Sequence, residues 1–309
     1  YNLPLQRWVD TDVLENAVEL PDVTNPETWY GDKTRYGKWR PFQLAFVLMN
    51  LRDFEPKGIP SVEDLAIPDK WILTQYQSVV RSITANLENY DIGFAATKLY
   101  DFIWSTFCDW YIEIAKQGLY ADDDERKRTT QAVLYYVLTG TLKLLHPYMP
   151  FITEEVYSYL PGIEGMIITA KWPEALDELD FPKESEQMEG IMEVIRSVRN
   201  LRAEMNVAPG RRARLILHAH DGWESTLKNA EGYFMRLAGA SELDMLEGDE
   251  RPEKSAAAVT GVCEIYIPLG DLVDIDKELD RLNKDLKNAE GEVKRAEGML
   301  ANEKFVARA

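Results

Sequence analysis

Cysteine and histidine are nearly missing from this chain: its 309 residues hold two of the first and three of the second. Cys108 and Cys263 stand far apart in apolar surroundings with no CxxC, which reads as two buried thiols in a reducing compartment. His146 precedes a proline and His218 and His220 flank Ala219, so no spacing suits a metal and none is expected. Long apolar runs are also lacking. None approaches the roughly 18 residues of a membrane helix, and no N-terminal signal pattern is present, so a cytoplasmic location without a membrane partner is expected. Positive charge is short as well: the net charge is −18. That excludes a general nucleic-acid binder, DNA included, and confines any phosphate-binding surface to a local patch. No glycine-rich phosphate loop follows a strand. Glu154 and Glu155 are adjacent, so on a helix they point about 100° apart and suit a helix start better than acid–base work.

What is present is helical periodicity. The length allows two or three domains. Residues 1–45 form an entry segment in which Pro4, Pro21, Pro26 and Pro41 break any long helix. From Phe42 on, helical patterns follow one another. Phe42–Phe54 is short, and Ile59–Pro68 is loop. A helix from Pro68 to about Glu88 carries Ile72, Tyr76, Val79, Val80, Ile83 and Leu87, with Asp69 in its first turn. Asp91–Lys116, capped by Asp91, is the central helix. Ile103, Phe107, Trp110 and Ile114 form its stripe, Phe102, Trp104, Cys108 and Tyr111 widen it, and an apolar circumference this wide belongs among other helices. Beyond the acidic loop Asp122–Glu125, Arg126–Leu145 ends at Pro147 and Pro150. A short helix starts at Thr153 as cap. The expectation is an antiparallel bundle over 46–184.

From 185 the pattern changes. Ser185–Asn206 is a long helix. Arg212–Ala219 reads as strand, Trp223–Leu237 as helix, Leu243–Leu246 as a brief strand and Val262–Pro268 as an alternating strand, so 185–270 is a linker helix with a small α/β subdomain. The last stretch, 271–309, has the sharpest pattern. Leu272, Ile275, Leu279, Leu282, Leu286, Ala289, Val293, Ala296 and Leu300 repeat at alternating steps of three and four. This is a coiled-coil seam that needs a partner strand. The fold expected is thus mainly α, with a C-terminal coiled-coil helix of about 45 Å.

Two stretches carry a resemblance. Phe-Ile-Trp-Ser-Thr-Phe-Cys-Asp-Trp-Tyr-Ile-Glu-Ile-Ala-Lys (102–116) and Leu-His-Pro-Tyr-Met-Pro-Phe-Ile-Thr-Glu-Glu-Val-Tyr (145–157) closely resemble the anticodon-binding domain of class I aminoacyl-tRNA synthetases. The likeness runs from about Phe46 to the last residue; residues 1–45 depart from it. It implies a cytoplasmic protein of translation that binds tRNA. Within the family, the long heptad helix and the absence of zinc-binding cysteines favour the valine branch over the isoleucine and leucine branches. Residues 302–308 resemble the tip of a helical hairpin, the tRNA-binding arm, so the heptad helix reads as its first, truncated half. The family activates its amino acid with a His-Ile-Gly-His-like element and a Lys-Met-Ser-Lys-Ser-like loop, and neither is here. The resemblance therefore implies ATP and magnesium for the parent, no catalytic residue and no cofactor in this stretch, catalytic and editing domains as partners, and no aminoacylation by the chain alone.

For the RNA contact itself, residues 193–214 hold six arginines against two glutamates. Arg196, Arg199 and Arg202, three apart on one helix, form a slanting ridge that Arg211, Arg212 and Arg214 extend. Lys116, Lys284, Lys294 and Arg295 are further candidates, the last three lying off the heptad seam. Trp104, Trp110 and Tyr111 are candidates for stacking on unpaired bases. A solvated, ion-paired helix face explains the same arginines. A helical scaffold that recruits protein through its coiled coil is the competing reading of the whole chain.

Overall fold

A computed structural model describes residues 40–208, 210–246, 248, 251–272, 286–291 and 293–295. The expectations for residues 1–39 and for most of the heptad helix, Lys284 included, lie outside the described residues. The chain divides into two compact units, Tyr1–Met188 and Glu189–Ala309.

The first unit is a helix bundle. Its described helices are α1 (Arg40–Asn50), α2 (Ile67–Glu88), α3 (Ile92–Asp101), a π-helical stretch (Phe102–Tyr111), α4 (Ile112–Leu119), α5 (Asp124–Leu145) and α6 (Pro150–Ser158). Chain direction alternates between α2, the run α3–π–α4, and α5. Both ends of the bundle are therefore built from turns that meet: Tyr148 Oη, after α5, donates to Ile92 O at the start of α3 (3.1 Å). Between α6 and the next helix the chain is irregular apart from two short 3-10 turns, Ile167–Thr169 and Asp177–Leu179. Polar side chains stitch this crossing segment to α2. Trp172 Nε1 donates to Thr84 Oγ1 (2.9 Å), Leu176 N to Gln77 Oε1 (2.9 Å) and Phe181 N to Thr74 Oγ1 (2.8 Å). Each bond satisfies a backbone or ring N–H that a loop lying on a bundle would otherwise leave without a partner.

The central helix keeps only part of the expected stripe. Phe107 and Ile114 are buried, as are Phe102, Cys108 and Tyr111 of its margin, but Ile103, Trp104 and Trp110 are only half-buried. The cause is the wide turn. Ile112 N donates to Phe107 O, five residues back, so each π turn takes up an extra residue and rotates the buried face. The rings then stack at steps of five and four, Phe102 on Phe107 (6.5 Å) and Phe107 on Tyr111 (6.2 Å). Tyr76 of α2 packs against Phe102 (6.2 Å) and against Tyr136 of α5 (5.4 Å), closing an aromatic core.

Three helix starts also need correction. Asp91 stands at the N-cap of α3 but its side chain caps nothing. The acidic stretch is only partly loop: Asp123 caps α5, accepting from Glu125 N and Arg126 N, and Asp124 and Glu125 form the first helical turn. Pro150, not Thr153, opens α6, since proline suits the first helical position. Thr153 lies one turn in and is tied to Met149 O (2.8 Å) and to His146 Nδ1 (2.7 Å).

Helix α7 (Pro182–Glu204) begins in the first unit and runs into the second. The second unit has β1 (Ala213–Ala219), then α8 (Glu224–Asn229), α9 (Glu231–Tyr233) and a π turn (Phe234–Ala238). Next come β2 (Ala240–Met245), β3 (Ser255–Val259), β4 (Cys263–Pro268) and α10 (Leu269–Leu272). The sheet order is β2-β1-β4-β3. β1 and β2 are parallel, as a helical crossover requires, and the other pairs are antiparallel. β3, Ser-Ala-Ala-Ala-Val, has no expected counterpart: it lacks the bulky residues of a typical strand and holds its place by pairing with β4 at the edge. Cys263 is fully buried in β4, and burial pushes its thiol up to about 11. Residues 286–291 and 293–295 are helical, with the seam residues Leu286 and Val293 exposed. No described helix is long and apolar enough to cross a membrane.

Candidate nucleic-acid interface

The best-furnished surface lies at the bundle end where α1, the end of α4 and the start of α5 meet. Lys116 Nζ sits 5.2 Å above the Phe46 ring and bonds Glu113 Oε1 at 2.6 Å. The Tyr120 ring meets the edge of Phe46 at 6.3 Å and is 64% exposed. Tyr120 is thus a flat, wet ring braced by a second ring that in turn carries a cation, an arrangement suited to an unstacked base. Beside it, Lys127 Nζ pairs with Asp53 Oδ2 (3.3 Å), and Gln131 Nε2 bonds both Asn50 O (2.6 Å) and Asp53 Oδ1 (3.0 Å). Burial works against the Asp53 carboxylate, but the bond from Lys127, a backbone hydrogen bond, the bond from Gln131 and the Lys127 charge together outweigh it and lower its pKa. Lysines here stand opposite carboxylates, so this end offers rings and hydrogen bonds more than unbalanced charge. Of its members only Lys116 was a candidate by sequence. Phe46 and Tyr120 stand 74 residues apart, and no periodicity links them.

The stacking candidates separate. Tyr111 is fully buried, its hydroxyl donating to Asp69 Oδ1 at 2.9 Å. No face of that ring can receive a base, so it is a core residue. Trp104 is half-buried and meets Tyr100 edge-on at 5.8 Å; Trp110 is half-buried.

The arginines of the second unit separate as well. Arg196 and Arg199 are exposed on α7, Arg199 Nε reaching Leu237 O (2.8 Å). Arg202 is buried, at 9% exposure. Its guanidinium donates to Ala208 O and Arg211 O and lies against Gly239, whose φ of 72° and missing side chain make room. Burial lowers its pKa. It braces the turn after α7 and is lost to the ridge. Arg211 and Arg212 are exposed and donate to Gly270 O (2.9 Å) and Ala240 O (3.4 Å). Arg214 pairs with Asp244. Lys294 and Arg295 are exposed on the short described part of the last helix. Among the described residues no group of three His, Cys, Asp or Glu is placed to hold a metal.

Residues 69–217, the bundle from its second helix into β1, match the family described as the anticodon-binding domain of tRNA ligase. Fold and match together mark the first unit as an anticodon-binding domain of the tRNA ligase kind. Residues 274–309 match a second family, the valyl tRNA synthetase tRNA binding arm. The valine–tRNA ligase of Clostridium tetani is 44% identical over 265 residues, that of Carboxydothermus hydrogenoformans 42% over 264, and that of Geobacter sulfurreducens 45% over 269. Each comparison covers 85% of this chain and 30% of the relative. The chain is thus similar to the valine–tRNA ligases along most of its own length, and it spans a little under a third of the length of those relatives.

Proposed function

We propose that this chain is the tRNA-binding portion of a valine–tRNA ligase, the enzyme class that joins valine to its tRNA with ATP. In this reading the bundle receives the anticodon loop and the last helix, with its arm segment, receives the body of the same tRNA. The observation that carries the reading is the Tyr120–Phe46–Lys116 platform, an exposed ring braced by a second ring under a cation, in a bundle of the anticodon-binding family. An anticodon presents unpaired bases, and stacking on an aromatic face is how such bases are held without a strong basic field. The net charge of −18 fits this, because rings do not depend on phosphate attraction. Arg196, Arg199, Arg211 and Arg212 supply phosphate contacts in the second unit, and Lys284, Lys294 and Arg295 do so on the arm. Trp104 and Trp110 are secondary ring candidates. Valine activation, with ATP and magnesium, belongs to the catalytic and editing domains of the parent, and the chain alone does not aminoacylate.

Single substitutions test the platform. Tyr120→Ala should weaken binding of a valine anticodon stem-loop by about 1–3 kcal/mol, the worth of one stacked base. Lys116→Ala should weaken it less. Fluorescence anisotropy with a labelled stem-loop reads both, and full affinity in Tyr120→Ala overturns the assignment.

A further inference from the structure

A buried carboxylate ties together the segments that flank the platform's turn. Asp69, in the first turn of α2, is 1% exposed. Its Oδ2 accepts the Ala66 amide at 3.1 Å, half of a capping box, and also bonds the Arg126 guanidinium. Its Oδ1 accepts the Tyr111 hydroxyl at 2.9 Å. One side chain therefore joins the start of α2, the end of the π stretch and the start of α5. Tyr111 reaches it because the π turns rotate that ring inward; a regular helix from Phe102 would put a different residue there. Arg126 reaches it by passing Gly118. A Cβ on Gly118 would collide with Thr130 Oγ1 and stand 3.3 Å from Arg126 Nε.

The chain between these anchors carries the platform. Lys116 follows Tyr111 by about one and a half turns, and Tyr120 sits in the turn between Gly118 and the Asp123 cap. We propose that Asp69, Tyr111 and Arg126 form a positioning clamp that sets Lys116 and Tyr120 in the geometry that takes an RNA base. The clamp touches no RNA; it acts through the turn it holds. The proposal rests on the reading of that turn as the RNA-facing one. A buried carboxylate with several donors holds three helix ends in one arrangement, since any displacement leaves a charge buried without its partners. Loss of one donor lets the turn sample other arrangements, and affinity falls by the fraction of time the competent one is lost.

Tyr111→Phe keeps the ring and removes one donor. Its stem-loop affinity, measured well below its unfolding midpoint, should fall about ten-fold. Arg126→Gln should do the same, with partial recovery in Arg126→Lys, which restores the charge without the planar fork. Ile83→Val, in α2 about 20 Å along the helix from Asp69, serves as a control that loosens the core elsewhere. It should bind like the wild type even with a comparable fall in midpoint. Wild-type affinity in Tyr111→Phe, or an equal loss in Ile83→Val, overturns the clamp. A wild-type protein that fails to bind the stem-loop overturns the functional reading and the clamp with it, whereas wild-type binding with an indifferent Tyr111→Phe overturns the clamp alone.

Discussion

Individual buried polar residues do as much to define the first unit as its apolar ones. Gln77 is fully buried and uses its amide oxygen on Leu176 N. Lys70 reaches Glu184 at 3.1 Å and also stands 5.5 Å over the Phe181 ring. Burial, the largest single influence, opposes the Glu184 charge, but the bond from Lys70, a backbone hydrogen bond and the charges of Lys70 and Lys183 together outweigh it and lower the carboxyl pKa from its ordinary value of 4.5. A depressed carboxyl stabilises the fold in full above that ordinary value and loses the effect as pH falls through the folded value. The pair is partly exposed, so its contribution is at most about 1 kcal/mol. Wild type should therefore unfold at a higher temperature than Glu184→Gln at pH 7, and the gap should close by pH 3. A gap unchanged with pH would remove the ion pair from the account. Little of this residue-level detail is visible in the sequence. Asp69 looks like an ordinary helix-start acid and Arg202 like one more member of a basic ridge. Both are claimed by partners far along the chain or across a turn, and periodicity carries no trace of such partners.

At the scale of elements the sequence is far more readable. The helices are marked by apolar spacing and by proline and aspartate at their starts, which act within a few residues. The π stretch is not, because it shifts the phase of a pattern whose composition stays the same. β3 is not, because its pairing with β4 and not its alanines makes it a strand. A strained helix end also escapes composition. Tyr90 follows α2 with φ of 63°, and Asp91 N closes the turn on Asn86 O at 2.8 Å. This is the position where helices commonly place glycine. The Tyr90 side chain is 87% exposed, so it contributes almost no packing. Tyr90→Gly should relieve the left-handed strain and stabilise the bundle by about 1 kcal/mol. The urea midpoint should rise; a fall would mean that the ring is held by contacts the exposure belies.

For the whole molecule, the division of labour follows charge and shape. An acidic chain can bind a polyanion only where local groups offset its net field, and in the proposed reading two kinds of surface take that part. The bundle end offers rings with balanced charges, whose binding should change little with salt. The arginines of the second unit and the basic residues of the last helix offer phosphate contacts, whose binding should weaken as salt rises. In the proposed reading the first supplies discrimination and the second supplies general affinity. The measurement that bears most directly on this is competition binding at about 0.15 M salt, the physiological range. It compares valine tRNA with the same tRNA carrying a different anticodon. The account predicts at least about a ten-fold preference for the valine anticodon, equivalent to about 1.4 kcal/mol, and predicts that Tyr120→Ala abolishes it. Equal affinity for the two RNAs would contradict it.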